Sequence, residues 1–130
     1  MSQLSGNSIA ALRLYFPVSL KVTKKNGWAR FGNPTLASYL LEAAKQAGIQ
    51  QVILHPINSG YLPGERLSHY HPELMNMKHP QCLELLDTEQ KLREFLHWYS
   101  QELQGVHAVL LQCELPLRSA AAAMPSSEAV

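Results

Sequence analysis

Hydrophobic positions along this chain change period from one stretch to the next, and the changes mark its elements. From Ala10 to Val18 every second residue, Leu12, Leu14, Phe16 and Val18, is apolar while Arg13 and Tyr15 take the other parity. That alternation predicts a strand with one buried face. Leu20 to Gly32 breaks it: three lysines and an Asn26-Gly27 turn signal surround Trp28 and Phe31, which predicts an extended connection or small hairpin with Trp28 as a lid on the core. The spacing of Leu36, Tyr39, Leu40, Ala43, Ala44 and Ala47 then predicts a helix to about Gln46, with Asn33 as N-cap, Pro34 at the first helical position and Gly48 as left-handed C-cap.

Gln51 to Asn58 reads as a second strand rich in Val52, Ile53, Leu54 and Ile57. Pro56 removes one ladder donor and so predicts an edge position or a bulge at its end. Gln81 to Leu86 is a third strand, with Cys82, Glu84 and Leu86 on one face and Leu83 and Leu85 on the other. Asp87-Thr88-Glu89-Gln90 has the form of a capping box with Asp87 as cap. The helix it opens carries Leu92, Phe95, Leu96, Tyr99 and Leu103 on one stripe and ends at Gly105. Val106 to Leu117 gives a last strand, apolar on both parities.

Strand, helix, strand, strand, helix, strand is the order of an α+β, ferredoxin-like βαββαβ arrangement, with two helices on one face of a four-stranded antiparallel sheet. Such a sheet leaves its other face without cover inside one chain. The apolar outer parity of the last strand therefore predicts self-association.

Composition narrows the class. The 130 residues are 46% hydrophobic, enough for one core, and 11 Lys and Arg against 10 Asp and Glu supply no broad basic field for nucleic acid. Residues 1–9 read as an N-terminal arm, 10–118 as the domain, and 119–130, small residues and Pro125, as a flexible tail. The start lacks a basic, apolar leader and no apolar run approaches the ~18 residues that span a bilayer. Cys82 and Cys113 sit in strand-like runs as small hydrophobes. Together these features predict a soluble, cytoplasmic protein with no membrane insertion and no disulfide framework.

Between the second and third strands, His55 to Pro80 holds four of the six histidines, four of the eight prolines and two of the seven glycines. That composition suits neither a continuous helix nor a continuous strand, and a connection of ~22 residues exceeds ordinary hairpin lengths, so it is the expected seat of function. His69 and His71 stand two apart and on extended backbone face one side, the pattern of a metal pair completed by His55, His79, Glu65 or Glu73. Solvated or hydrogen-bonded imidazoles account for the same residues. Gly60, Gly64 and Arg66 offer backbone donors and a guanidinium to a phosphate or carboxylate, although no Gly-Lys-Ser/Thr follows as in a P-loop. Leu74, Met75 and Met77 offer an adaptable apolar surface. No serine has a nucleophile-elbow context and no cation neighbours either cysteine in sequence, so the chain is expected not to be an enzyme.

The apolar strand leading into Asn58-Ser59-Gly60-Tyr61, Arg66 with His69, and the Leu86-Asp87-Thr88-Glu89 start of the second helix resemble a bacterial and archaeal family of unknown function. That family is related to the PII nitrogen-regulatory signalling proteins. The resemblance spans roughly residues 10–118. It implies a homotrimer whose sheets line the centre, with residues 59–80 corresponding to the T-loop that contacts protein partners. It also implies a small ligand between subunits at the loop's base, beside Gly60, and the candidate contacts are then Gly60, Tyr61, Gly64 and Arg66. Arg13 or Arg118 of a neighbouring subunit would join them, from positions at strand ends. Where PII proteins carry a glycine- and lysine-rich phosphate turn, this chain has Gln104-Gly105-Val106-His107, which argues against ATP and leaves another adenine nucleotide or a small anion. Two further readings stand beside it: a metal-binding or metal-tolerance protein using the loop histidines, and a structural adaptor that binds no ligand.

Overall fold

The computed structural model describes residues 8–22, 32–74 and 76–114. Strand β1 (Ile9–Pro17), helix α1 (Leu36–Gln46), strand β2 (Gln51–Pro56), the two-residue strands β3 (Ser59–Gly60) and β4 (Ser68–His69), strand β5 (Pro80–Thr88), helix α2 (Glu89–Trp98) and strand β6 (His107–Gln112) follow in that order. The long strands form one sheet in the order β2-β5-β1-β6, and each neighbouring pair is antiparallel. The chain is thus α+β, a four-stranded antiparallel sheet with two helices, compatible with the ferredoxin-like arrangement.

Parity decides what each sheet face meets. Leu12, Leu14 and Phe16 of β1 and Leu83 and Leu85 of β5 are fully buried with Leu36, Leu40 and Ala44 of α1 and Leu92 of α2, so both helices cover the same face. The opposite face carries Arg13 and Tyr15 of β1, Cys82 and Glu84 of β5, Ile53 and His55 of β2, and Val109 and Leu111 of β6. Ile53, Val109 and Leu111 are exposed there. Pro56 ends β2, which is an edge strand, the position that a residue without a backbone donor favours.

Both helix starts lie later than the sequence suggests. Thr35, not Asn33, caps α1, its hydroxyl accepting from Ser38 N at 3.2 Å. The Pro34 carbonyl is taken by Val22 N at 3.0 Å in an extended bridge, which holds Asn33 and Pro34 outside the helix. Thr88, not Asp87, caps α2. Asp87 is buried and accepts instead from Gln50 N at 2.8 Å and Thr88 N at 2.6 Å, tying the turn before β2 to the end of β5. Helix α2 ends at Trp98, short of the expected Leu103, and turns carry the chain through Gly105 to β6. At the end of α1, Ile49 N to Ala44 O and Gly48 N to Lys45 O, with Gly48 at φ 78°, form a Schellman close.

The last strand stops at Gln112, shorter than expected. The Trp28 lid, Met75, Arg118, residues 1–7 of the arm and the tail 119–130 lie outside the described residues.

Candidate functional site

The connection between β2 and β5 is organised by one imidazole. Asn76 forms an Asx turn, its side chain accepting from Lys78 N and its carbonyl from His79 N, both at 2.9 Å. This turn directs the His79 side chain inward, where it is 1% exposed. Its Nε2 lies 2.6 Å from the Ile57 carbonyl, which only accepts, so the neutral ring carries its proton there and Nδ1 accepts from the Ser68 hydroxyl at 2.7 Å. The His79 carbonyl takes Val18 N at 2.8 Å. One residue thereby joins the end of β2, strand β4, the turn after β1 and the start of β5.

Beyond this junction the loop is a small hairpin rather than one open excursion. Ser59 pairs with His69 and Gly60 with Ser68, and Tyr70 N donates to Asn58 O at 2.6 Å. Its tip turns through Leu62-Pro63-Gly64-Glu65, closed by Glu65 N to Leu62 O at 2.9 Å with Gly64 at φ 82°. Proline then glycine in the two central positions is the type II pattern. Gly64 therefore serves the turn.

Beside His79 opens a cavity of ≈ 350 Å³ at the edge of the sheet, walled by Leu54, Pro56, Ile57, Tyr70, His79 and Gln81 among others. The Tyr70 ring meets His79 edge-on with centroids 6.4 Å apart. Its walls are mostly apolar, and its volume lies within the range of small-molecule sites. Among the described lining residues there is no lysine or arginine, so it suits a planar or apolar group better than a phosphate.

The expected ligand residues are not gathered here. Gly60, in β3, is close to Ile57, whose Cγ2 would lie 3.9 Å from an added Cβ. Tyr61, at 65% exposure, and Arg66 project to solvent from the hairpin. Arg13 lies in the middle of β1, not at a strand end, because the register pairs it with Glu84 and Val109 on the uncovered face. There its Nε donates to Glu84 Oε2 at 2.9 Å while His55 Nε2 donates to Glu84 Oε1 at 3.2 Å. Burial pushes the Glu84 carboxyl up, but the Arg13 and His55 hydrogen bonds and charges outweigh it and hold it below the ordinary carboxylate range. Its hydrogen bond to Glu84, then one to Tyr15, raises the Arg13 guanidinium further.

Burial raises the Cys82 thiol, opposed by a Tyr15 hydrogen bond and Arg13 and assisted by Glu84. No cation neighbours Cys82 in sequence, since Arg13 is 69 positions away and only strand pairing brings it close.

The two histidines read as a metal pair are each committed locally. His69 Nδ1 lies 2.7 Å from Ser59 Oγ, and His71 Nδ1 accepts from Glu73 N and Leu74 N at 3.1 Å each. Each still offers Nε2. Among the described residues no group of three or more His, Cys, Asp or Glu side chains is placed to hold a metal ion.

Two arrangements appear only in the fold. His79 belongs with the loop histidines by composition, while its position next to Pro80 and β5 is the signal that it faces the junction. The Arg13–Glu84–His55 cluster was legible in principle, as opposite charges on the outer parity of neighbouring strands. No described helix is long and apolar enough to cross a membrane. No protein-family model matches the chain, and no curated protein matches it.

Proposed function

We propose that this chain is a PII-like signalling protein, not an enzyme, that binds a small ligand at the base of loop 59–80 and passes its occupancy to a protein partner. The observation that carries the reading is the shared wall. His79 and Tyr70 border the ≈ 350 Å³ cavity, while His79 also holds Ile57 and Ser68 and Tyr70 N holds Asn58. A group entering the cavity thus touches residues that set the hairpin's position, the differential contact a population shift requires. The apolar wall supports the base of an adenine nucleotide as the inserted group, with Arg66 free to meet an anion from the hairpin. A homotrimer joined through the uncovered sheet face, with the cavity at its periphery, is the assembly we favour. Exposed Ile53, Val109 and Leu111 support burial of that face. Tyr61, Leu67, Leu74 and Met77, all more than 60% exposed, supply the partner surface, and two unpaired thiols fit a reducing, cytoplasmic setting.

Calorimetric titration with ATP, ADP, AMP and cyclic nucleotides, paired with hydrogen exchange of residues 57–79, tests the proposal. Saturable heat with slowed exchange in the loop is expected, strongest for a nucleotide other than ATP. Flat titrations with unchanged loop exchange would overturn it.

A further inference from the structure

We infer that Gln81 is the recognition residue of the cavity beside His79, and that this cavity takes a neutral planar ring carrying a primary carboxamide or lactam edge. The inference rests on the loop-base reading for the place of the site, not for a nucleotide as its occupant. Strand register shows where the Gln81 side chain goes. Gln81 stands opposite Phe16 of β1 and Pro56 of β2, and Leu54 stands opposite Leu83. Residues paired in this way share a face and successive residues alternate, so Gln81 lies on the side of the sheet that holds Phe16, Leu83 and Leu85. Leu54 and Pro56 lie on that side too. Leu54 is 37% exposed there while Leu83 is fully buried, so the helices leave the β2 edge of this face open. The ≈ 350 Å³ cavity sits at that edge, with Leu54, Pro56, His79 and Gln81 in its wall. The Gln81 side chain is therefore turned into the cavity rather than away from it.

Gln81 is only 8% exposed, yet among the described residues no hydrogen bond engages its side-chain amide. Among those residues, the side-chain polar atoms both sealed from solvent and unpartnered belong to Asn33 and Glu89. Both atoms of the Gln81 amide thus stay reachable. A buried amide costs free energy unless it is hydrogen-bonded, and at this position the bonds must come from a group inside the cavity.

The chemistry of that group follows from what surrounds it. The Gln81 amide presents a carbonyl acceptor and an NH2 donor side by side. A ligand amide with its C=O and N–H on one edge meets both at once, in two parallel bonds. His79 offers no competing contact, because its ring nitrogens are spent on Ile57 and Ser68. With no lysine or arginine among the described lining residues, nothing in the wall offsets the desolvation of an anion. The occupant is therefore neutral. Leu54 and the 51% exposed Tyr70 give its ring an apolar bed.

NMR titration of the isotope-labelled full chain with benzamide, and with acetophenone, in which a methyl group replaces the NH2, tests the assignment. We expect saturable shifts at Leu54, Tyr70 and the Gln81 side-chain NH2, with acetophenone at least about tenfold weaker because it leaves the Gln81 carbonyl without a donor. Gln81→Leu removes an amide that bonds nothing else and sets an apolar side chain on an apolar face, and it should bind the two compounds alike. If that variant does not fold, the wild-type pair of titrations still decides. Equal affinity of amide and ketone for the wild type, a preference that survives Gln81→Leu, an unmoved Gln81 amide, or no saturable shift would overturn the inference. The loop-base reading fails separately. A benzamide preference beside flat nucleotide titrations and unchanged exchange in residues 57–79 keeps Gln81 as the recognition residue and removes the signal, whereas nucleotide heat with slowed loop exchange but no amide preference does the reverse.

Discussion

His79 Nε2 donates to the Ile57 carbonyl across 2.6 Å, and this bond closes the base of a connection that would otherwise hang from the ends of β2 and β5. The ring is almost fully buried and its second nitrogen holds Ser68, so the hairpin is anchored from inside the domain rather than by its own short ladder.

Replacing His79 with alanine strands the Ile57 carbonyl and the Ser68 hydroxyl and opens a void beside Tyr70. The expected loss is about 2 to 3 kcal/mol of stability, with hydrogen exchange accelerated in residues 57–70. Protection of β1 and β5 should persist, because their pairing lies outside the junction. Uniform loss of protection across the sheet would show that the anchor is part of the core instead.

Glu84 makes stability depend on pH in a defined direction. Its folded value lies below the ordinary one, so the stabilisation is present above the unfolded pKa and is lost as pH falls through the lower folded value. Glu84→Gln should lose about 1 kcal/mol at pH 7, kept small by solvent screening of the half-exposed Arg13 and His55. The gap to wild type should close as pH drops below about 4. Denaturant melts at pH 7 and at acid pH measure both quantities, and a gap that widens on acidification would contradict the cluster.

The N-cap of α2 and the buried acceptor beside it are separable by mutation. Thr88→Ala removes an ordinary N-cap and should lose about 1 kcal/mol. Asp87→Ala removes the buried acceptor of the Gln50 and Thr88 amides at once and should lose about 2 to 3 kcal/mol. Chemical denaturation of the pair ranks them, and a reversed order would restore Asp87 to the helix cap.

The two thiols should react at different rates. Cys82 is 5% exposed and burial raises its thiol, whereas Cys113 is half-buried. Iodoacetamide in native buffer should modify Cys113 first, with Cys82 following only on unfolding. Intact mass spectrometry with peptide mapping reads the order.

Alternation along Ala10–Val18 and Gln81–Leu86 and the helical stripes from Leu36 and from Leu92 placed the long elements within a few residues, because burial of one face imposes a period that the sequence records directly. Local hydrogen-bond competition was less legible. Asn33 and Asp87 are good caps by residue type, yet a bridge from Val22 and an amide at Gln50 claim those segments, and both partners are distant in sequence.

The loop shows the same division. Pro63-Gly64 encodes its own turn, and the excess of histidine and proline between His55 and Pro80 marks the segment as irregular without any knowledge of the fold. What those histidines do was decided elsewhere. His79 is a buried strut because β4 and the end of β2 converge on it, His71 caps a local turn, and His55 joins Arg13 on one carboxylate because β2 and β1 flank β5. Sequence alone determined the periods, the turns and the two-helix, four-strand order, since each depends on neighbours within a few positions. Only the tertiary structure decided which polar groups meet, since a strand register joins residues that the chain keeps far apart, 71 positions in the case of Arg13 and Glu84.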